Sequence, residues 1–181
     1  YKNDVPMVLT DVESAEMIKY ASNAFLAAKI SFINEIACIC EAYGADVSEV
    51  ARGIGLDHRI GPHNLSAGPG YGGSCFPKDV AALAATAAGG GVKVPLIKSI
   101  AQTNARQKQE MVEKLRGLVG AFSGKTISVL GLSFKANTDD LRESPAIELV
   151  STLLAEGASV RAYDPASMEH AQRRFPDLIC C

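Results

Sequence analysis

The sequence lacks the excess of basic residues that nucleic-acid-binding proteins carry. Its 181 residues hold 18 Lys and Arg against 20 Asp and Glu, a formal net charge of −2. A surface with this balance offers no electrostatic footprint for a phosphate backbone, so we expect no nucleic-acid partner. The sequence also lacks a signal peptide and an apolar run near the ~20 residues of a membrane span, so we expect no membrane partner.

Cysteine pairs with metal-binding spacing and clustered histidines are missing as well. The five cysteines, an odd number, include no C-x-x-C pair, and the three histidines are scattered along the chain. This pattern argues against a disulfide framework and against a zinc site, and it favours the reducing cytoplasm. We therefore expect no metal. Cys38 and Cys40 lie in an apolar helical run and are predicted to be core residues.

No segment has the strand, glycine loop and helix order of a dinucleotide-binding domain. Residues 68–73 fit G-x-G-x-x-G letter by letter, but the residues before them, 64–67, do not form a predicted strand. Residues 124–126 imitate the end of a P-loop but precede a strand, so we interpret them as a turn. The chain also begins without Met, in a predicted linker, and ends on a predicted strand. We therefore expect a fragment of a longer protein.

The chain does contain a glycine-rich segment, residues 68–74, that leads Cys75 into a predicted helix start. Pro77 suits the first helical turn, and apolar residues at helical spacing follow it. Unpaired backbone N–H groups, the helix dipole and Lys78 favour the thiolate form of Cys75, whereas Asp79 opposes it. The loop glycines allow close approach of a ligand to the backbone. The segment predicts an activated cysteine, and a mobile loop ending in a buried, inert cysteine is the alternative.

Helical periodicity and capping residues dominate the first two thirds of the chain and predict two long and two short helices. The first helix has Thr10 as its predicted N-cap, with Glu13 three residues on. The predicted helices cover residues 10–43, 46–53, 77–89 and 95–120. Together they predict an all-α domain over residues 1–120.

The last third of the chain alternates strand and helix patterns. Apolar β runs at 126–131 and 159–163 flank a predicted helix at 144–157, and Asp164-Pro165 turns the chain into a further helix before a strand at 178–181. Strand, helix and strand with these loop lengths form a βαβ unit, and hence part of a parallel sheet. The predicted fold class is α plus α/β, with a partial Rossmann-like domain over residues 121–181.

Residues 72–79, Gly-Gly-Ser-Cys-Phe-Pro-Lys-Asp, resemble the nucleophile motif of the UDP-glucose/GDP-mannose dehydrogenase family, and the similarity runs from about Thr10 to the end of the chain. Members of this family oxidise the C6 alcohol of a nucleotide sugar to a carboxylate with two NAD⁺, through a cysteine thiohemiacetal and thioester. The resemblance implies NAD, bound mainly by an N-terminal domain absent from this chain, and a homodimer through the long helices. We therefore expect the chain alone to be inactive.

UDP-glucose is the nucleotide sugar that the motif residues favour. Two alternatives stay open at this stage. One is a GDP-mannose 6-dehydrogenase, and the other is a non-catalytic helical dimerisation scaffold, for which the helix from Pro95 has a suitable apolar stripe.

The resemblance also implies roles for individual residues. Cys75 is the implied nucleophile, Lys19 and Asn23 would stabilise oxyanions, and Asp79 would orient the hydrolytic water. Without the resemblance, Lys19 and Asn23 on one helix face would more simply be a solvated surface. The implied substrate contacts are Arg59 (through a neighbouring subunit), Asn64, Leu65, Gly68, Gly72, Phe76, Phe134 and Lys135. Lys78 and Arg142 are implied to reach the NAD phosphates.

Overall fold

The computed structural model describes residues 6–181, so residues 1–5 of the first predicted domain lie outside the described residues. The helices and strands follow the order of the chain. They are α1 (Val12–Tyr43), α2 (Val47–Gly55), α3 (Phe76–Gly89), α4 (Pro95–Val119), β1 (Thr126–Leu130), α5 (Pro145–Ala155), β2 (Ser159–Tyr163), α6 (Met168–Arg174) and β3 (Ile179–Cys180). A helical region followed by a partial parallel α/β region confirms the predicted fold class.

The start of α1 differs by one residue from its prediction. Asp11, and not Thr10, is the N-cap, and its carboxylate accepts a hydrogen bond of 2.7 Å from the backbone N–H of Ser14. Asp and Thr both accept such bonds readily, so the sequence pattern fits either position. Gly44 ends α1 with a φ of 72°, a left-handed conformation that glycine adopts without strain.

Helices α1, α3 and α4 pack against one another around a first hydrophobic cluster. Its buried members are Ala24, Ala27, Tyr71, Val80 and Ile100. The small side chains of Ala24 and Ala27 allow the neighbouring helices to approach α1 closely. The ion pairs Arg106–Glu35 and Lys114–Glu41, each at 2.5 Å, join α4 to α1 at the surface, where such pairs add little stability.

Helix α1 corrects the expectation that no apolar run approaches the length of a membrane span. Its most apolar 18-residue window has a mean hydropathy of 1.4, so the helix is long and apolar enough to cross a membrane by length and composition. This finding is weak evidence, because the core helix of a soluble protein passes the same test. One third of the window, 33%, is buried inside the structure.

The apolar stripe predicted for the helix from Pro95 is largely covered by the chain itself. Ile100 is buried and Ile97 partly buried in the first cluster, and Leu115 packs on the second cluster described below. The exposed apolar stripe lies on α1 instead, at seven-residue spacing. Its members are Ile18, Phe25, Phe32 and Ile39. The sequence pattern could not separate the two helices, because both carry apolar residues at helical spacing.

The α/β region forms a parallel three-stranded sheet in the order β1-β2-β3. The predicted last strand is thus β3, which pairs with β2. Helix α5 covers the sheet, and the second hydrophobic cluster includes Leu132, Ile147, Val150, Leu153 and Val160. The last turns of α4 pack on this cluster as well, so α4 belongs to both clusters. The predicted domain boundary at residue 120 falls directly after Val119, the last residue of this shared helix.

Asp164, at the end of β2, fixes the loop that follows β1. Its carboxylate accepts four backbone N–H hydrogen bonds of 2.8 to 3.0 Å, from Leu132, Ser133, Ala166 and Ser167. Although burial raises the pKa of Asp164, these four donors outweigh it and hold that pKa well below its usual value. The carboxylate therefore ties together the loops at the carboxyl ends of β1 and β2.

Candidate functional site

Cys75 lies at the start of α3, as predicted. It is the N-cap residue, Pro77 occupies the first helical turn, and the cysteine is exposed. Its nearest hydrogen-bonding side chain is that of Ser74, whose Oγ lies 3.7 Å from Sγ. An exposed thiol at a helix N-terminus does not fit the alternative of a buried, inert cysteine. Cys75 is therefore open to a ligand.

Asp79 is the centre of the charged network beside Cys75. Its side chain is only 1% exposed, and it accepts from Lys19 Nζ at 2.8 Å, Asn23 Nδ2 at 2.5 Å and Lys78 Nζ at 2.6 Å. The hydrogen bond from Lys19, followed by that from Lys78, holds the pKa of Asp79 well below its usual value despite burial, and Asn23 adds to the effect. The same contact raises the pKa of Lys78. Asp79 is therefore an ionised carboxylate.

Lys19 and Asn23, which the sequence pattern pairs, line different cavities. Lys19, Lys78 and Asp79 line one cavity of about 420 Å³, whereas Asn23 lines the cavity that contains Cys75. Lys19 and Asn23 share a helix face, as their spacing predicts, but both donate to Asp79. With three donors on its two oxygens, Asp79 anchors these side chains.

A cavity of about 640 Å³ opens beside Cys75, at the junction of the helical and α/β regions. A volume of this size is typical of small-molecule sites. Among the residues singled out from the sequence, its lining includes Asn23, Asn64, Gly72, Cys75, Phe76, Phe134 and Lys135. The structure thus brings together side chains that are more than 100 residues apart in the sequence.

Three of the implied substrate contacts do not line this cavity. The side chain of Leu65 is buried. Gly68 has its backbone N–H and C=O bound by the side chains of Asn34 and Gln107. Arg59 lies in the loop after α2, largely exposed, and its guanidinium binds the carboxylate of Asp57 at 2.5 Å, which raises the pKa of Arg59. Its implied contact with a neighbouring subunit stays a prediction.

The two implied cofactor residues, Lys78 and Arg142, line a third cavity of about 690 Å³, together with Gly73, Ser74 and Arg174. Ser74 lines both this cavity and the cavity beside Cys75, so these two cavities are neighbours at the start of α3. Arg142 is bound by Asp140 through two guanidinium nitrogens, and this interaction lowers the pKa of Asp140 to about 2. Three cations line this cavity, Lys78, Arg142 and Arg174, beside the carboxylates Glu143 and Glu148, and cations of this kind suit a diphosphate group.

The glycine-rich segment touches the loop after β1 directly. A Cβ at Gly72 would overlap the carbonyl oxygen of Glu143, and a Cβ at Gly73, whose φ is 83°, would lie 2.6 Å from the ring of Phe134. The backbone N–H of Gly73 donates to the carbonyl of Arg142 at 2.8 Å. The sequence interpretation assigned these glycines to close approach of a ligand. In the structure, close approach of another backbone segment already requires glycine at Gly72.

Sequence reasoning missed the buried amide side chains that hold this segment, Asn34, Asn104 and Gln107. The sequence carries only a weak signal for them, since each is a polar residue at a helix position where the periodicity predicts an apolar one. Within residues 6–181, no group of three His, Cys, Asp or Glu side chains is placed to hold a metal ion.

Two family models match the chain. The model described as "UDP-glucose/GDP-mannose dehydrogenase family, central domain" matches residues 13–106, and the one described as "UDP-glucose/GDP-mannose dehydrogenase family, UDP binding domain" matches residues 128–180. The two matches fall on the helical region and on the α/β region, respectively.

Curated relatives are identical to this chain at about half of the aligned positions. UDP-glucose 6-dehydrogenase TuaD of Bacillus subtilis is 55% identical over 166 residues, which are 92% of this chain and 36% of that protein. UDP-glucose 6-dehydrogenase of Rhizobium meliloti is 52% identical over an alignment of 181 positions, which covers 99% of this chain and 41% of that protein. The chain therefore spans well under half the length of these relatives.

Solved structures share the fold. A UDP-glucose dehydrogenase from Pyrobaculum islandicum matches 99% of this chain and 42% of its own, with a TM-score of 0.96 and 39% identity. The UDP-D-ManNAc dehydrogenase from Pyrococcus horikoshii matches 91% of this chain and 39% of its own, with a TM-score of 0.79 and 32% identity. Both therefore share the fold of the part of this chain that they cover.

Proposed function

Because this chain belongs to the UDP-glucose/GDP-mannose dehydrogenase family, we propose that it is part of an NAD-dependent enzyme that oxidises UDP-glucose to UDP-glucuronate. The cavity beside Cys75 carries the proposal, since both regions of the chain line it. The relatives at 55% and 52% identity are UDP-glucose 6-dehydrogenases, which favours UDP-glucose over GDP-mannose. In this proposal residues 128–180 bind the uridine nucleotide, and Cys75 reacts at C6 of the sugar.

Cys75 acts as the nucleophile that keeps the aldehyde attached to the protein. Its sulfur adds to the aldehyde carbon and forms a C–S bond, and the carbonyl oxygen takes up a proton to give a thiohemiacetal. Two NAD⁺ molecules would supply the oxidising power, each as the hydride acceptor for one of the two oxidations, from alcohol to aldehyde and from thiohemiacetal to thioester. Water then adds to the thioester carbon, the C–S bond breaks, and the thiolate leaves with the electron pair.

Asp79 keeps Asn23 and Lys19 in place for this chemistry. Asn23 donates one amide hydrogen to Asp79 and lines the cavity of Cys75, so its second amide hydrogen is available to an oxyanion on the reacting carbon. Asp79 itself is buried with both oxygens engaged, so we assign it to positioning and not to the activation of water. Lys19 binds the same carboxylate and partly offsets its negative charge.

Lys78 and Arg142 would hold the phosphates of NAD. Their shared cavity adjoins that of Cys75 at Ser74, so a dinucleotide held there lies next to the reacting sulfur. Both side chains are cations that a diphosphate can bind, and Arg142 can do so with two parallel N–H groups.

Replacement of the nucleophile tests the proposal. In the longer protein that contains this chain, Cys75→Ser should abolish multiple turnover of UDP-glucose, because an alkoxide leaves an ester far more slowly than a thiolate leaves a thioester. NADH absorbance measures turnover, and mass spectrometry detects any stable ester adduct. Cys180→Ser, which changes another exposed cysteine, is the control and should turn over normally.

Turnover of Cys75→Ser at the rate of the control would remove Cys75 from the mechanism. Substitution of GDP-mannose for UDP-glucose in the same assay tests the substrate, since faster oxidation of GDP-mannose would overturn that part of the proposal. The 181-residue chain alone should reduce no NAD⁺, and detectable reduction by it would contradict our assignment of NAD binding to a further domain.

A homodimer through α1 is a second proposal, and it is compatible with the first. Phe25 is 67% exposed and Phe32 is 50% exposed, seven residues apart on one helix. Large aromatic side chains at this spacing form a continuous apolar strip, which a second copy of the helix can cover.

A further inference from the structure

We propose that three buried amide side chains, Asn34, Asn104 and Gln107, are positioning residues for Cys75; the proposal rests on the nucleophilic role of Cys75 given above. All three are buried, although amide groups seldom are. They project from the two long helices, Asn34 from α1 and the other two from α4, toward the glycine-rich segment. Neither family resemblance nor helical spacing assigns them a role.

Gly68 is held at both of its backbone polar groups. Its N–H donates to Asn34 Oδ1 at 2.8 Å, and its carbonyl oxygen accepts from Gln107 Nε2 at 2.7 Å. Two helices thus hold one residue at the start of the segment, through its backbone N–H and C=O groups. The segment is thereby fixed relative to the helical framework, seven residues before Cys75.

Tyr71 is held in the same way. Asn104 Oδ1 accepts from its N–H at 2.8 Å, and Asn104 Nδ2 donates to its carbonyl at 3.0 Å, so one side chain replaces the pairing that a neighbouring strand would supply. The ring of Tyr71 meets that of Phe76 edge to face, with centroids 5.9 Å apart. Because Phe76 directly follows Cys75 and begins α3, the hydrogen bonds that hold Tyr71 also help to fix the start of this helix.

Packing alone does not explain why these amide side chains are buried. The Nδ2 atom of Asn34 is buried and has no hydrogen-bond partner among the described residues. A buried donor without a partner is destabilising, so an apolar side chain of similar size would suit this position of α1 better if packing were the only demand. The hydrogen bond from the N–H of Gly68 to Asn34 Oδ1 explains why an amide occupies this position.

Neutral amides suit this task because they carry no charge. A carboxylate could accept from the N–H of Gly68 and a lysine could donate to its carbonyl oxygen, but either would add a charge near the sulfur, and neither could make both bonds of Asn104 to Tyr71. With amides, the charges around Cys75 remain those of α3, of the network on Asp79, and of Lys135 and Arg142 on the loop after β1. Loss of an amide should therefore displace the sulfur without altering the charges near it.

Gln107→Met tests the proposal, because Met has nearly the length and helix propensity of Gln but no N–H to donate. In the longer protein, kcat for UDP-glucose oxidation should fall ~10-fold, since small displacements of a reacting group are costly to rate. KM for NAD should change by less than about twofold, and the shape of the pH–rate profile should not change. Far-UV circular dichroism checks that the variant is folded.

Gln109→Met is the matched control. Gln109 lies two residues further along α4 and is exposed, so the same substitution there removes an amide that holds nothing. It should keep the kcat of the unmodified protein. If Gln107→Met and Gln109→Met have kcat values within twofold of each other, the proposal is overturned.

A second measurement separates this proposal from the proposed function. In the 181-residue chain, mass spectrometry of peptides can follow the alkylation of Cys75 by iodoacetamide, with Cys180 as internal reference. Gln107→Met should slow alkylation at Cys75 by about threefold or more relative to Cys180, because the sulfur moves away from the helix N-terminus. If the unmodified longer protein oxidises no nucleotide sugar, the proposed function fails. The alkylation rate of Cys75 then tests the positioning role by itself. Equal rates in the two Met variants would then overturn the positioning role.

Discussion

At the scale of single residues, the carboxylate of Asp79 gathers three donors from two helices. A carboxylate this well buried must be hydrogen-bonded or protonated, and its three partners keep it ionised. Lys19 and Lys78 are both largely exposed, so the attraction between charges is weakened by water. What the buried carboxylate contributes is geometry, because it fixes the side chain of Asn23 at the edge of the Cys75 cavity.

Asp79→Asn should lower the free energy of unfolding by about 1–3 kcal/mol at pH 7, because the amide cannot accept from all three donors. The folded-state pKa of Asp79 lies below its unfolded value, so the carboxylate stabilises the fold above about pH 4. This stabilisation is lost as the pH falls further, through the folded-state pKa. The difference between the unmodified chain and the variant should therefore shrink below about pH 4, as urea unfolding at several pH values can measure.

Asp177→Asn is the control for this pH series. Asp177 is an exposed carboxylate before β3, so its substitution should leave the unfolding free energy within about 0.5 kcal/mol at every pH. A constant difference between Asp79→Asn and the unmodified chain from pH 7 to pH 3 would show that Asp79 does not stabilise the fold through its charge.

Sequence patterns reveal one half of this network and not the other. The four-residue spacing of Lys19 and Asn23 predicts that they share a helix face, which they do. Their common partner lies 60 residues from Lys19, on α3, and no local pattern reports a contact of that range. The helix start at Cys75 was predictable because Pro77 and the glycines before it are local signals. The amides that hold those glycines were not, because each acts on a distant segment.

At the scale of elements, the glycine-rich segment and the loop after β1 fit together as two backbones. Gly72 lies against the carbonyl of Glu143, and the next residue donates to the carbonyl of Arg142. Glu143 has a φ of 53°, a left-handed conformation that is uncommon outside glycine. The segment that carries Cys75 and the loop that carries Phe134 therefore cannot move independently of each other.

Gly72→Ala should push these two segments apart, because the added methyl group would overlap the carbonyl oxygen of Glu143. We expect a loss of about 1–3 kcal/mol in the free energy of unfolding, the range for overpacked sites. We also expect weaker binding of UDP, since Phe134 and Lys135 lie on the displaced loop. Calorimetry can measure both effects, by thermal unfolding and by titration with UDP.

Gly117→Ala separates these effects from those of an added methyl group in general. Gly117 lies in α4, and a Cβ there would meet nothing within 4 Å. This variant should be as stable as the unmodified chain or slightly more stable, because Ala is the better helix former. If Gly72→Ala unfolds at the same temperature as Gly117→Ala, the close contact between the two segments does not exist in solution.

At the scale of the whole molecule, α4 connects the two hydrophobic clusters. Ile97 and Ile100, near its start, pack in the helical region, and its last turns, at Leu115 and Val119, pack on the sheet. This shared helix explains why a cavity forms at the junction, since it sets the distance between α3 and the loop after β1. It also explains why α4 has few apolar side chains left for a partner, whereas α1 has many.

The exposed stripe of α1 leads to the prediction that the chain forms a dimer. Introduction of a charge at its centre, by Phe25→Glu, should raise the dissociation constant of the dimer by ~100-fold or more, since a desolvated carboxylate would replace an aromatic contact. Sedimentation equilibrium measures this constant over a range of chain concentrations. Leu118→Glu, at an exposed apolar position of α4 outside the stripe, should leave it unchanged. An unmodified chain that stays monomeric at ~100 µM, or equal constants for the two variants, would exclude this face of α1 as the interface.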